Sequence, residues 1–209
     1  MSDESDRRPL YVAIEGPIGV GKSTLVHRLR ERMQARLVME VVEENPFLAR
    51  FYEDRDRYAF QTQLFFLMSR FKQQEELQQA DLFAPDTLAD YHLLKDRIFA
   101  RLTLRDDELA LYERVFRSLE QQILQPDVLI YLTARQEILH ERIRRRGRPF
   151  EQDFDPEYLL ALSNAYQHFF SHYHTTPLLV VDNSELDYTK DDGPVNHIYQ
   201  EVLRLAGRA

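Results

Sequence analysis

Short apolar runs alternate along this chain with longer segments in which apolar residues recur every three or four positions. YVAIE, residues 11–15, predicts a buried strand that stops at Gly16. A helix is expected next, over about 21–34. LVMEVV, 37–42, predicts a second strand, and TLAD, 87–90, a short third one ending on Asp90. DVLIYL, 127–132, and PLLVVD, 177–182, predict the fourth and fifth. The segments between them have helical spacing: 45–79 with a break near 54–57, 93–124 with a break near 103–106, then 136–145 and 156–173. A last helix is expected from about Pro194. Strands that alternate with helices predict an α/β fold, an open parallel five-stranded sheet with helices on both faces. Ligands of such sheets bind beyond the carboxyl ends of the strands. Chemistry is therefore expected in the residues just after each strand.

Composition narrows the class. A chain of 209 residues, with 44% hydrophobic and 30% charged residues, fits a single globular domain over 1–209. It has no cysteine, which excludes disulfides and thiolate metal sites. No apolar run approaches the length of a membrane span, so no membrane partner is expected. MSDESDRRPL is polar and acidic, unlike a signal peptide. Residues 1–9 are expected to be a disordered lead, and the protein to be cytoplasmic. The net charge of -8 argues against nucleic acid, whose phosphates call for a basic stripe.

Strand one runs directly into GPIGVGKST: Gly16, Pro17, Ile18, Gly19, Val20, Gly21, Lys22, Ser23 and Thr24. The spacing matches G-x-x-x-x-G-K-[ST], in the strand–loop–helix context of a P-loop. Its glycines let backbone N–H groups surround phosphate oxygens. Lys22 reaches the outer phosphates, and the Ser23 hydroxyl suits Mg²⁺. The helix N-terminus adds a favourable field for an anion. The expected ligand is a nucleoside triphosphate.

That expectation gives a purpose to RIRRRGRPFE, 142–151, where five arginines fall within seven residues of an acidic chain. Arginine brought to a phosphoryl group in transfer is worth ~10³–10⁵ in rate. The segment is read as a short lid, hinged at Gly147, that closes Arg142, Arg146 and Arg148 over the donor phosphates. Arg144 and Arg145 are expected to be solvated.

A P-loop alone leaves ATPase, GTPase and kinase open. The N-K-x-D element by which GTPases read their base is absent. Glu40 stands near the end of strand two, where a carboxylate beside the P-loop suits an acceptor hydroxyl and repels an acceptor that is already phosphorylated. In FQTQLFFLMSR, Gln63 and Arg70 are seven apart and share a helix face amid aromatic bulk, an arrangement that suits a reader of a stacked base and equally ordinary core packing.

Taken together, IEGPIGVGKST, EVVEENPFLARFY, FQTQLFFLMSR, ADYHLLKDRIFA, RIRRRGRPFE and VVDNSELDY resemble the bacterial deoxynucleoside kinases, among the P-loop kinases. ADYHLLKDRIFA and RGRPFE are most similar to the deoxyguanosine kinase branch. The resemblance implies ATP-dependent phosphorylation of a deoxynucleoside 5′-hydroxyl, deoxyguanosine first, with Mg²⁺. It makes Glu40 the base, and Tyr52 and Glu151 the pair that holds the 3′-hydroxyl. Gln63 pairs with the nucleobase, with Arg70 and Asp96 as its polar neighbours. Asp90 helps organise the metal with Ser23, and Arg142, Arg146 and Arg148 grip the donor. Asp187 and Tyr188 border the donor adenine. A homodimer is implied as well. Tyr91 stands where much of the family has an arginine that contacts the 5′-oxygen region. Arg97 and Lys95 are the nearby cations, and the sequence does not choose between them. Deoxyadenosine or deoxycytidine phosphorylation on the same scaffold is the nearest rival. A regulatory nucleotide-binding module is the rival from another class.

Overall fold

A computed structural model describes residues 8–78, 85–151 and 155–208 of the chain. Five strands make one fully parallel sheet: β1 (Tyr11–Glu15), β2 (Arg36–Val38), β3 (Thr87–Ala89), β4 (Val128–Thr133) and β5 (Leu178–Asp182). Their order is β2-β3-β1-β4-β5, which places β1 at the centre. The helices are α1 (Lys22–Met33), α2 (Leu48–Glu53), α3 (Arg55–Gln78), α4 (Lys95–Thr103), α5 (Asp106–Glu120), α6 (Gln136–Arg146), α7 (Pro156–Ser171) and α8 (Gly193–Leu205). A 3-10 turn, Pro149–Glu151, comes after α6.

Alternation along the central strands divides the core between the two faces of the sheet. Val12, Ile14, Val128, Ile130 and Leu132 pack with Leu25, Leu29 and Val202 of α1 and α8. Tyr11, Ala13, Leu129 and Tyr131 face Leu162, Tyr166 and Phe170 of α7. Both faces are covered, which is why β1 and β4 read as nearly continuous apolar runs. Among the described residues no helix is long and apolar enough to cross a membrane.

The breaks expected near residues 54–57 and 103–106 fall between α2 and α3 and between α4 and α5. Asp54 makes the first break, its carboxylate accepting the Arg57 N–H at 3.2 Å. The second strand is shorter than its apolar run. β2 ends at Val38, whose carbonyl accepts the Asp90 N–H at 3.2 Å. The Glu40 N–H is then taken by the Asp90 side chain at 2.6 Å, so the chain leaves the sheet before the carboxylate. At the N-terminus, residues 1–7 of the expected lead lie outside the described residues. Arg8 is ordered by an ion pair with Asp127.

Gly16 closes β1 against β4. Its φ is 152°, and a Cβ built there would stand 2.5 Å from the Leu132 carbonyl oxygen. Backbone cannot yield that space without moving β4. Gly147, the left-handed cap of α6 at φ 66°, meets nothing nearer than 4.0 Å. We expect Gly16→Ala to lower unfolding free energy by about 1–3 kcal/mol or more. Gly147→Ala should cost only the left-handed strain, about 1–2 kcal/mol. Urea unfolding of both variants checks the order, and a smaller loss at Gly16 would contradict it.

Candidate active site

The loop after β1 and the segments after β2, β3 and β4 converge on one cavity of about 930 Å³. At one end lie the P-loop and the start of α1. The loop turns on the Val20 N–H, which donates to the Pro17 carbonyl at 3.3 Å. No acidic residue stands in the first turn of α1, so the N-terminal field is uncompensated. Lys22 folds back over the loop and donates to the carbonyls of Gly16 at 2.6 Å and Pro17 at 3.2 Å. Burial lowers its pKa to about 8, helped by the Lys95 ammonium, although Glu15, Glu40 and Asp90 pull it back up.

A chain of buried charges crosses the floor. Glu40 receives Arg70 Nε at 3.1 Å, a closer Arg70 Nη2 contact, and Lys95 Nζ at 2.6 Å. Burial alone would push the Glu40 carboxyl up. The guanidinium and the ammonium outweigh it and hold the group well below the usual carboxylate range. Arg70 is gripped from behind by Asp96. Glu15, at the end of β1, accepts the His92 N–H at 2.6 Å and the Tyr166 hydroxyl at 3.2 Å. Burial raises its pKa against the pull of Lys95 and Lys22. Asp90 is raised too, by burial and then by the neighbouring Glu40 charge.

The other end of the cavity is aromatic. Phe66, Phe99, Phe150 and Tyr158 line it, with Tyr52 stacked on Phe150 at a ring separation of 5.6 Å. The Phe66 ring carries the Arg70 guanidinium at 4.6 Å. Gln63 is 2% exposed and lines the wall. Its amide makes no hydrogen bond among the described residues.

Most residues singled out from the sequence meet here: Gly16, Ile18, Gly19, Val20, Gly21, Lys22, Ser23 and Thr24 of the loop, Glu40, Tyr52, Gln63, Arg70 and Asp90, the three arginines and Glu151, and Asp187 with Tyr188. Three do not line the cavity. Pro17 is turned into the loop's interior, offering its carbonyl to Lys22. Tyr91 is wholly buried, and its hydroxyl donates to Gln73 Oε1 at 2.7 Å. It backs the cations, with Arg70 and Lys95 each 5.9 Å from its ring, and fills the position at which many relatives carry an arginine. Asp96 is likewise at 0% exposure, and it holds Arg70 from behind the cavity wall.

The arginine cluster is organised differently from a free lid. Arg142 spans two loops, donating to Val20 O at 3.1 Å and Asn183 O at 2.9 Å. Arg146 makes a forked pair with Glu151, at 2.6 Å and 3.1 Å. Arg148 lies 2.8 Å from Glu43 and 3.8 Å from Glu151. Gly147 caps α6, donating its N–H to Ile143 O at 3.3 Å. Arg145, expected in solvent, lines the cavity and makes no ion pair among the described residues. Lys95 is the other residue whose place the sequence left open. It lines the cavity, whereas Arg97 turns away to Glu113 at 3.1 Å and Glu120 at 3.3 Å.

A P-loop, an enclosed carboxylate and an aromatic wall on one parallel sheet define a phosphotransferase for a small acceptor. The chain belongs to the deoxynucleoside kinase family, whose model, described as "Deoxynucleoside kinase", matches residues 12–206. It is 38% identical to the deoxyguanosine kinase of Bacillus subtilis over 158 residues, 75% of this chain and 76% of that protein. It is 29% identical to the deoxyadenosine/deoxycytidine kinase of the same organism over 202 residues, 93% of this chain and 92% of that protein. The fold superposes on a solved deoxyadenosine kinase from M. mycoides, with products dCMP and a flexible dCDP bound. The TM-score is 0.83 at 26% identity, covering 93% of this chain and all of that one. The chain is thus a deoxynucleoside kinase with the P-loop kinase fold.

The depressed pKa of Lys22 has a measurable consequence. Above pH 8 the free lysine is largely neutral, and bound phosphates favour its ammonium form. Binding must then take up a proton, so affinity falls as pH rises. We expect ATP affinity, measured by titration calorimetry, to weaken by up to about tenfold per pH unit above pH 8. Lys22→Met should bind weakly without that slope. A flat profile in the parent protein would contradict the environment described for Lys22.

Proposed function

We propose that this kinase transfers the γ-phosphoryl group of ATP to the 5′-hydroxyl of a purine deoxynucleoside, deoxyguanosine first. The observation that carries the reading is the pairing of two groups in one cavity. Glu40 is fixed at the phosphate side, and the amide of Gln63, which makes no hydrogen bond among the described residues, stands in the aromatic wall. An amide presented to the cavity with its donor and acceptor ends open is available to a ligand. Guanine presents a carbonyl acceptor beside a ring N–H, which one amide reads with both its ends. Arg70, a donor without acceptors, favours the carbonyl over the exocyclic amino group of adenine. The similarity to a deoxyguanosine kinase supports the same choice.

In this reading the hydroxyl donates its hydrogen bond to Glu40 and is aimed along the transfer axis. The bond from the 5′-oxygen to phosphorus forms as the bond to the bridging oxygen breaks, and the electron pair leaves with ADP. The proton passes to Glu40. A carboxylate held so far below its ordinary range is a weak base. It suits a loose transition state, in which the hydroxyl turns acidic late and positioning comes first. Tyr52 and Glu151 are the candidates for the 3′-hydroxyl. Arg146 already occupies both Glu151 oxygens, so it has to share them with the sugar.

Among the described residues no three His, Asp or Glu side chains converge as a metal set. Ser23 and Asp90 both line the phosphate end. A hydroxyl and one carboxylate, with the remaining ligands from phosphates and water, fit Mg²⁺. Bound there, Mg²⁺ would neutralise phosphate charge. The implied homodimer is part of the proposal. Met68 on α3 and Leu111 on α5 are 48% and 51% exposed, on helices that pack together.

A phosphorylation screen over deoxynucleosides and ribonucleosides should give deoxyguanosine the highest kcat/KM, and a pyrimidine preference would overturn the purine assignment. Glu40→Gln should lower kcat by ~10²–10⁴ with a much smaller change in nucleoside affinity. Gln63→Ala should erode the base preference more than it slows poor substrates. For the dimer, light scattering is expected to give twice the chain mass, and Met68→Glu with Leu111→Glu should halve it. A monomeric parent would remove that part of the proposal.

A further inference from the structure

Three cations share the floor of the cavity, two of them buried, and they are not held alike. Lys22 is tied to two P-loop carbonyls. Arg70 lies between two carboxylates, Glu40 on one side and Asp96 on the other. Lys95 has a 4% exposed side chain that still reaches the cavity, and its one ion partner among the described residues is Glu40, at 2.6 Å. Its partner is therefore the group that an acceptor hydroxyl must engage.

We propose that Lys95 is a catalytic residue: its ammonium rests on Glu40 in the free enzyme and shifts onto the oxygens that gain negative charge as the phosphoryl group passes to the acceptor. The proposal rests on the reading of Glu40 as the partner of the 5′-hydroxyl.

The backbone beneath Lys95 is fixed. Its N–H donates to His92 O at 3.1 Å in the first turn of α4. The next residue, Asp96, is locked on Arg70. Movement is thus confined to the four-carbon stem, and a lysine ammonium is a compact charge with rotatable donors. A hydroxyl hydrogen-bonded to Glu40 competes with Lys95 for that carboxylate. The displaced ammonium stays enclosed, because Tyr91 closes the space behind it, its ring 5.9 Å from Nζ. In such surroundings a charge aimed at developing negative oxygen acts more strongly than it does in water. No proton passes through Lys95. The hydroxyl proton goes to Glu40, the new bond joins the 5′-oxygen to phosphorus, and the leaving electron pair departs on ADP.

The rival role is that Lys95 merely neutralises Glu40 and holds it in place. Four variants separate the two: Lys95→Met, Lys95→Arg, Glu40→Gln and the double Glu40→Gln/Lys95→Met. Single-turnover rates are measured with ATP and deoxyguanosine, nucleoside affinity by calorimetry, and folding by thermal denaturation. Lys95→Met is expected to lower the transfer rate ~10²–10³-fold, the range for one lost preorganised donor. Nucleoside affinity should change by less than about threefold, the pattern of an interaction made only in the transition state. Lys95→Arg, which keeps the charge and the fold should the methionine variant not fold, should regain at least about a tenth of the parent rate. The double variant should fall at least about tenfold below Glu40→Gln, because the ammonium serves the transferred group as well as Glu40.

A double variant no slower than Glu40→Gln would overturn the proposal and leave Lys95 a positioning residue. So would a normal rate in Lys95→Met, or an arginine variant that folds but stays as slow as the methionine one. A normal rate in Glu40→Gln would overturn the acceptor reading and the proposal with it. A crippled Glu40→Gln beside a normal Lys95→Met would sink Lys95 alone.

Discussion

The balance of buried charge at the carboxyl ends of β1, β2 and β3 is the constraint on which the rest depends. Glu15, Glu40, Asp90 and Asp96 are taken largely from water within one small region. A lone buried carboxylate is prohibitively costly, and paired charges with their hydrogen bonds filled are tolerable. Arg70 and Lys95 pair with Glu40, Arg70 pairs with Asp96, and hydrogen bonds from the Glu40 N–H, the His92 N–H and the Tyr166 hydroxyl satisfy Asp90 and Glu15. Because the four carboxylates come from different segments, the pairing ties those segments together. Arg70 locks α3 to α4 through Asp96 and to the β2 exit through Glu40. Glu15 links the end of β1 to His92 after β3 and to Tyr166 of α7.

That arrangement costs stability and serves function. A floor of alternating charges is poised toward whatever polar ligand enters, and the cations are graded in freedom. Arg70 is clamped from both sides, Lys22 rests on backbone, and Lys95 has one ion partner among the described residues. The arginines above show a similar grading. Arg142 is a strut between the P-loop and the loop after β5. Arg146 and Arg148 are paired with Glu151 and Glu43. These ion pairs tie the end of α6 and the turn after it to the segment after β2.

The sheet was legible because its strands are covered on both faces. Such strands read as apolar runs, and the helices between them have to carry an apolar stripe. The β2 run misled at its far end, since Met39 and Val42 are apolar for packing around the cavity and not for a ladder. The Asp90 side chain competes for the Glu40 N–H, and that competitor lies fifty residues away in sequence. The P-loop was legible for a local reason: its glycines, lysine and serine act within one strand–loop–helix unit.

Sequence by itself determined the parallel α/β sheet, the phosphate loop and, through a set of short segments in order, the kinase family. Tertiary structure decided which charges meet. Nothing local separates Lys95 from Arg97, two cations on one helix turn, yet one enters the cavity and the other turns to Glu113 and Glu120. Tyr91 and Asp96 sit in the stretch from which the site was read, and both stand one layer behind the cavity wall. The physical reason is the same in each case. Strand and loop geometry come from neighbours in the chain, whereas the partner of a buried charge is set by which distant elements pack against it.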